Sequence, residues 1–154
     1  MIEPDPWDRI TVVLVTRNSA AILASSLGSL ARARRIILID AMSTDDTIAV
    51  ARNCHPAVEV NSLTEDRGLG AATNQGFALA DTEYVLNINP DTRMPDGCIE
   101  QLACTADANP NAAGIAPVLT NANGDVDLSV MGSWERHHQA ITQPPGGPFC
   151  TWFL

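Results

Sequence analysis

The residues best suited to chemistry are Asn89 and Asp91, which directly follow an apolar run at residues 84–88. Proline cannot continue a central strand, so the chain is expected to turn at Pro90 and leave Asp91 beyond the strand's carboxyl end. Ligands bind at this position in open α/β sheets. A carboxylate beside an amide oxygen suits Mg²⁺ or Mn²⁺, which take further ligands from water and substrate phosphates. On this fragment alone, an Asx turn capping the next helix is an equally good interpretation.

Polar residues also follow the other predicted strands. Residues 16–18 (Thr-Arg-Asn) follow the first strand, Asp40 ends the second, and Arg67 lies in the loop after the third. In a doubly wound sheet these ends line one crevice. An acid can accept hydrogen bonds from a ribose or base, an arginine can bind phosphate, and a helix starting near residues 68–70 can add N-terminal amides. The set suits a nucleoside diphosphate, although each residue alone could be a cap or turn residue.

The elements that position these residues follow from the hydrophobic pattern. It predicts strands at residues 10–15, 36–40, 57–61, 82–89 and 113–119, and helices at 20–33, 46–54, 71–79 and 97–107. A tight turn at residues 121–125 would return the chain into a strand at 126–130. The alternation of strands and helices predicts an α/β fold with a mainly parallel sheet and helices on both faces.

Composition excludes several classes of protein. With 154 residues, 45% hydrophobic and 18% charged, the chain is expected to form one globular domain. Its net charge of −9 argues against binding to nucleic acid. The start resembles no secretory signal, and no apolar run is long enough to span a membrane. The expected location is the cytoplasm, with the inner face of the membrane as a second option. The four cysteines lack C-x-x-C spacing and are expected to be reduced rather than zinc ligands.

Some nucleotide and hydrolase signatures are absent from the sequence. No G-x-G-x-x-G follows the first strand, and there is no G-x-x-x-x-G-K-[ST] or G-x-S-x-G. These absences argue against a dinucleotide-binding unit, a P-loop NTPase and an α/β-hydrolase.

Three segments resemble, in order and spacing, the motifs of a known family. Residues 39–47 are similar to V-D-N-x-S-x-D-G-T, residues 66–76 to N-x-G-[FY]-[GA]-x-x-x-N-x-G, and residues 87–92 contain a counterpart of L-N-P-D-T. From Ile10 to about Ser129 the chain resembles the inverting family 2 glycosyltransferases with the GT-A fold, most closely their rhamnosyltransferase-like branch.

The resemblance implies a GT-A (Rossmann-like) fold, a dTDP- or UDP-sugar donor, a divalent cation (Mn²⁺ or Mg²⁺) and a glycan or lipid-linked acceptor. Residues 15–17 would contact the base, Asp40 the nucleoside, and Arg67 the base or diphosphate, while Asp91 would bind the metal and phosphates at the family's D-x-D position. The full set of implied donor-binding residues is Val15, Thr16, Arg17, Asp40, Arg67, Gly70, Asn74, Asn89 and Asp91.

The chain also departs from the family pattern. The family usually has an aromatic residue at position 17 and asparagine at 41, and its general base lies in a segment beyond the position of Leu154. Asp125, Asp127 and Glu135 are candidates for this base only because they are acidic.

The expected organisation is a nucleotide-sugar-binding GT-A subdomain at residues 1–130. Residues 131–154 would be the irregular start of an acceptor-side region that is otherwise missing from a truncated chain. The apolar C-terminus could then pair with a second copy, and donor binding with little transfer is expected. One alternative is a non-catalytic binding or assembly module. A weaker one, a sugar nucleotidyltransferase, lacks the expected glycine-rich basic loop after the first strand.

Overall fold

A parallel sheet of four strands organises the part of the chain that the computed structural model describes, residues 5–117 and residue 120. After a 3-10 helix at Pro6–Arg9, strands and helices alternate. The strands are β1 (Ile10–Thr16), β2 (Ile36–Asp40), β3 (Val58–Ser62) and β4 (Tyr84–Ile88). The helices are α1 (Ala20–Ser29), α2 (Thr47–Cys54), α3 (Leu69–Leu79) and α4 (Cys98–Ala108).

The order of the strands creates a switch point beside β1. The sheet runs β3-β2-β1-β4, so the first three strands progress in one direction and β4 returns to the other side of β1. Thr16 is level with Asp40, and Asp40 with Ser62, while Leu14 is level with Ile88. The carboxyl ends of all four strands therefore lie at one edge, and the connections after β1 and β4 leave it side by side, where open α/β sheets bind ligands.

Both faces of the sheet are buried against helices. On one face, alternate residues such as Val12, Leu14 and Leu38 join a large core cluster with buried side chains of α1, α2 and α4. On the other face, Val13 and Ile39 belong to a smaller cluster that α3 covers. Burial on both faces explains why these strands are continuous apolar runs rather than alternating ones.

At the amino ends of the strands, Arg9 joins three parts of the chain. Its guanidinium donates to Glu83 at 2.8 Å and to Asp107 at 2.5 Å, and it lies 5.0 Å from the centre of the Tyr84 ring. The Tyr84 hydroxyl donates to Asp107 Oδ1 at 2.7 Å. This Arg9 cluster ties the start of β1 to the start of β4 and the last turn of α4.

The α/β fold with a parallel sheet and helices on both faces is confirmed, with small changes at element boundaries. Helix α1 ends at Ser29 rather than residue 33, because the chain turns at Leu30 and brings Ala33 back into the core. The predicted strand at 113–119 is wrong for residues 113–117, which form no strand. Pro117 has no N–H to donate to a ladder. Residues 118–119 and the predicted hairpin at 121–130 lie outside the described residues.

No helix in the described ranges has the length and apolar character needed to cross a membrane. The predicted division of the chain at residue 130 stays a prediction.

Candidate functional site

Asp40 is the buried last residue of β2, and its side chain holds the loop that follows this strand. Its Oδ1 accepts a hydrogen bond from the Thr16 hydroxyl at 3.4 Å, and its Oδ2 accepts one from the Ser43 N–H at 3.0 Å. Asp40 is 2% exposed and Thr16 is 1% exposed. Within the described residues no arginine or histidine forms an ion pair with Asp40. A buried carboxylate with only neutral partners has lone pairs left for another donor.

The loops after β1 and β2 are joined by hydrogen bonds. The Asn18 N–H donates to the Ser43 hydroxyl at 2.9 Å, and the Asn18 side-chain oxygen accepts from the Thr44 N–H at 2.8 Å. Asn18 and Met42 have positive φ angles of 49° and 62°. Such backbone is uncommon for residues other than glycine and is often found at functional sites. The two loops therefore form one rigid unit above Thr16 and Asp40.

Asp45 caps two helices from within the same unit. Its Oδ2 accepts from the Ala20 N–H at the start of α1 (3.1 Å), and its Oδ1 accepts from the N–H and hydroxyl of Thr47 at the start of α2 (3.0 and 2.5 Å). Thr47 in turn accepts from the Ser19 N–H at 2.7 Å. These bonds lower the pKa of Asp45, with the Thr47 hydroxyl as the largest cause. Asp45 therefore fixes how the first two helices leave the site edge.

Arg17 reaches from the end of β1 to the loop before α3. Its Nη1 lies 2.5 Å from Asp66 Oδ2, and both side chains are largely exposed. Asp66 Oδ1 accepts from the N–H of Gly68 at 2.9 Å, which precedes α3 and has a φ of 83°. The Gly68 N–H and then the Arg17 guanidinium lower the pKa of Asp66. Arg17 and Asp66 thus connect the loop after β1 with the loop before α3, across the mouth between these loops.

The other predicted residues near α3 are exposed. Arg67 forms an ion pair with Glu65 two residues earlier, and both side chains are largely exposed. Gly70 lies in the first turn of α3, and Asn74 lies one turn further on. Within the described residues the Asn74 side chain makes no hydrogen bond.

Asn89 and Asp91 follow β4 as predicted and form a turn. The Thr92 N–H donates to the Asn89 carbonyl at 3.1 Å, Asn89 is half-buried, and Asp91 is exposed. Within the described residues no hydrogen bond or ion pair engages the Asp91 carboxylate. An unengaged carboxylate is a suitable hard ligand for Mg²⁺ or Mn²⁺, but the described part of the chain contains no group of three metal-ligating side chains. A cation held here would need ligand phosphates to complete its coordination.

The structure joins some of the predicted residues directly and others only through their neighbours. Thr16 contacts Asp40, and Arg17 contacts Asp66 beside Arg67. Val15 is half-buried on the face that α3 covers. No hydrogen bond or ion pair of the described residues links Asp91 to Asp40, Arg17 or Arg67.

Sequence reasoning missed the parts played by Ser43, Asp45 and Asp66. Their signal was present, because each lies inside a segment that matched a motif, but neither spacing nor residue type identified their partners. The acids considered as general base, Asp125, Asp127 and Glu135, lie outside the described residues.

A separate groove of about 720 Å³ lies between α1 and the start of α4. It contains none of the predicted site residues. Arg32 lies 5.5 Å from the centre of the Trp7 ring on its wall and pairs with Asp5 and Glu100. The charged groups there largely neutralise one another.

Comparison with known proteins relates the chain to sugar-transferring enzymes. The family model described as "Glycosyl transferase family 2" matches residues 11–149. An uncharacterised glycosyltransferase of Mycobacterium bovis is 32% identical over 100 residues, covering 65% of this chain and 44% of the relative. An N-acetylglucosaminyl-diphospho-decaprenol L-rhamnosyltransferase of Mycobacterium tuberculosis is 28% identical over 134 residues, covering 77% of this chain and 44% of the relative. The chain thus spans less than half the length of these relatives.

Solved structures with the same fold include two glycosyltransferases. TarS of S. aureus (residues 1–349) has a TM-score of 0.59 and 22% identity, with 73% of this chain and 38% of that chain covered. A mannosyltransferase of Pyrobaculum calidifontis, solved with GDP-Man and Mn²⁺, has a TM-score of 0.60 and 27% identity, with 75% of this chain and 38% of that chain covered. The fold is therefore the GT-A fold of these glycosyltransferases.

Proposed function

Because this chain belongs to glycosyltransferase family 2, we propose that its sheet edge binds the nucleoside diphosphate of a nucleotide-sugar donor. The single observation that carries the proposal is the strand order. Arg17 follows β1 and Asp91 follows β4, on the two sides of the switch point, and Asp40 forms the floor beside them. An exposed carboxylate, an arginine and a buried acid thus lie along the edge where ligands of open α/β sheets bind.

Each residue has a role that its environment permits. Asp40 accepts a hydrogen bond from the base or ribose with the lone pairs that Thr16 and Ser43 leave free. Arg17 and Arg67 contribute positive charge toward the base or the diphosphate. The N-terminus of α3, around Gly70, contributes amide groups, with Asn74 one turn along. Asn89 and Asp91 would hold the cation, with the donor phosphates as its other ligands.

The proposed reaction is the transfer of a sugar from a dTDP- or UDP-sugar to a glycan or lipid-linked acceptor. The acceptor oxygen forms a bond to the anomeric carbon, the bond to the diphosphate breaks, and the configuration inverts. The acceptor's proton passes to a general base. We assign this role to none of the described residues. When bound, Mn²⁺ or Mg²⁺ neutralises the charge of the leaving diphosphate.

Two relatives support this choice. The matched mycobacterial protein is a rhamnosyltransferase whose name specifies a diphospho-decaprenol, which favours an activated deoxysugar donor and a lipid-linked acceptor. The Pyrobaculum mannosyltransferase holds GDP-Man and Mn²⁺, which favours a divalent cation beside the diphosphate.

The proposal is tested by calorimetric titration with UDP, dTDP and GDP, with and without Mn²⁺. We expect the wild-type chain to bind at least one of them more tightly with Mn²⁺, and Asp91→Asn to lose that gain. Asp96→Asn is the matched control, since Asp96 is an exposed acid of the same loop and the substitution removes the same charge. Absence of binding by all three nucleotides, or an unchanged Mn²⁺ effect in Asp91→Asn, would contradict the proposal.

The alternative of a non-catalytic binding module predicts the same titration but a different product analysis. Incubation with UDP- or dTDP-sugar and candidate acceptors, followed by measurement of released nucleotide, separates the two. Acceptor-dependent release supports transfer and contradicts the module.

A further inference from the structure

Both arginines of the candidate donor site are held by acids from one short segment, Glu65-Asp66-Arg67. Asp66 pairs with Arg17 at 2.5 Å, and Glu65 pairs with Arg67. All four side chains are largely exposed at the mouth between the loop after β1 and the loop before α3. A diphosphate entering this mouth therefore meets two carboxylates placed against the two cations it would use.

Asp66 is fixed independently of Arg17. Its second oxygen accepts the Gly68 N–H at 2.9 Å, at the turn that begins α3. Asp66 is negatively charged at neutral pH, as aspartates ordinarily are. The Gly68 N–H also lowers the pKa of its carboxyl group. If Arg17 moved toward a phosphate, the Asp66 charge would remain at the mouth.

The energetics allow Arg17 and Arg67 to exchange their carboxylate partners for a diphosphate. Exposed ion pairs contribute little to stability, because water screens the charges and two long side chains must be ordered. A diphosphate carries more charge than one carboxylate and accepts bidentate hydrogen bonds from arginine. It can therefore take the arginines, but it loses affinity to the two nearby carboxylates by like-charge repulsion.

We propose that Glu65 and Asp66 are built-in competitors of the donor diphosphate, which hold Arg17 and Arg67 and lower the affinity of the site for nucleotides lacking a cation. This inference rests on the proposed function of the same site. It follows that nucleoside diphosphates alone bind weakly, that a cation carried with the diphosphate offsets the repulsion, and that uncharged nucleosides are unaffected. The acids thus select a cation-bound donor over a free nucleotide.

The test compares nucleotide binding by Asp66→Asn, Glu65→Gln and the double variant without divalent cations. Asparagine at 66 keeps an oxygen for the Gly68 N–H, so the start of α3 is preserved. The probes are UDP with uridine and dTDP with thymidine, each at about 20 mM and about 200 mM salt, which bracket strong and weak screening. Asp81→Asn is the matched control, because Asp81 is an exposed acid paired with Arg35 at the opposite edge of the sheet.

We expect the double variant to bind the nucleoside diphosphate about threefold to tenfold more tightly at low salt, with a smaller gain at high salt. Nucleoside affinity and the Asp81→Asn variant should stay at the wild-type level. Unchanged or weaker diphosphate binding by the double variant would overturn the inference, as would an equal gain in Asp81→Asn or in nucleoside binding.

The two proposals fail in different ways. If the wild-type chain binds a nucleoside diphosphate with Mn²⁺ but the acid variants do not tighten the metal-free complex, competition is wrong and donor binding stands. If neither wild type nor variants bind any nucleotide under either condition, the donor site itself is wrong. Circular dichroism of each variant excludes misfolding as the cause of a loss.

Discussion

Val13 of β1 and Gly76 of α3 lie so close that a β-carbon built on Gly76 would be 2.4 Å from Cγ1 of Val13. The next contact would be Cγ1 of Ile39 in β2, at 3.4 Å. Glycine at this position therefore lets α3 pack directly on the two central strands. The distance of α3 from the sheet also sets the position of its first turn beside the candidate site.

Replacing Gly76 with alanine should destabilise the fold by about 1–3 kcal/mol, because the methyl group must displace Val13 in a packed core. Urea unfolding followed by circular dichroism measures the change. Gly28→Ala is the control, since a methyl group on Gly28 of α1 would have no neighbouring atom within 4 Å and should add up to about 1 kcal/mol of stability from helix propensity. Equal effects at the two positions would contradict the close packing.

Asp45→Ala should destabilise the fold, because one carboxylate caps both α1 and α2. Asp46→Ala is a matched control at the N-cap position of α2, where the side chain makes no capping hydrogen bond. It removes the same charge near the same helix. If chemical denaturation shows Asp46→Ala to be as costly as Asp45→Ala, general helix-dipole electrostatics rather than capping explains the effect.

Substitutions of Asp40 should separate its structural and recognition roles. Asp40→Asn keeps an oxygen for Ser43 N–H and presents an amide to Thr16, so thermal stability should change little. Asp40→Ala leaves the buried Thr16 hydroxyl and the half-buried Ser43 N–H without this partner and should cost about 1–3 kcal/mol.

Nucleoside binding should weaken in both Asp40 variants, about tenfold if a charged hydrogen bond is lost. Titration of the most tightly bound nucleoside with Asp40→Asn checks this. Wild-type affinity in a folded Asp40→Asn protein would show that the carboxylate does not contact the nucleoside.

The Arg9 cluster should give stability a dependence on pH at both extremes. Arg9 and then the Tyr84 hydroxyl lower the pKa of Asp107 from 3.8 to about 2, so its contribution is complete above pH 3.8 and is lost as the pH falls through about 2. Asp107 and burial raise the pKa of Tyr84 from 10.0 to about 12, so the neutral phenol stabilises the fold below pH 10 and this contribution is lost as the pH rises through about 12.

Two variants separate the acid contribution from the alkaline one. Asp107→Asn should reduce the loss of melting temperature on acidification, and Tyr84→Phe should reduce the loss at alkaline pH. Because Asp107 is about half exposed, each contribution is expected to be about 1 kcal/mol or less. Acid and alkaline melting curves that keep the wild-type slopes in both variants would show that other groups control the pH dependence.

The order and type of the elements between residues 10 and 108 were predictable largely because β1, β2 and β4 are nearly continuous apolar runs. Burial on both faces by helices imposes that pattern, so the sequence carries it locally. The boundary of α1 was less predictable, since Leu30 and Ala33 stay buried after the helix has ended. Their burial extends the hydrophobic pattern beyond Ser29, although the α-helix has ended there. The segment at 113–117 was misassigned because apolar content outweighed Pro117.

For the candidate site, residue types and strand ends identified Thr16, Arg17, Asp40, Asn89 and Asp91 as residues of one edge. The sequence by itself determined that these residues share one edge of the sheet. A polar residue that ends a parallel strand must lie at that edge whatever the rest of the chain does. Only the tertiary structure decided the partners. Arg17 is 49 residues from Asp66 and Ala20 is 25 from Asp45, and these pairings depend on how loops from different βα units meet, which no local pattern encodes.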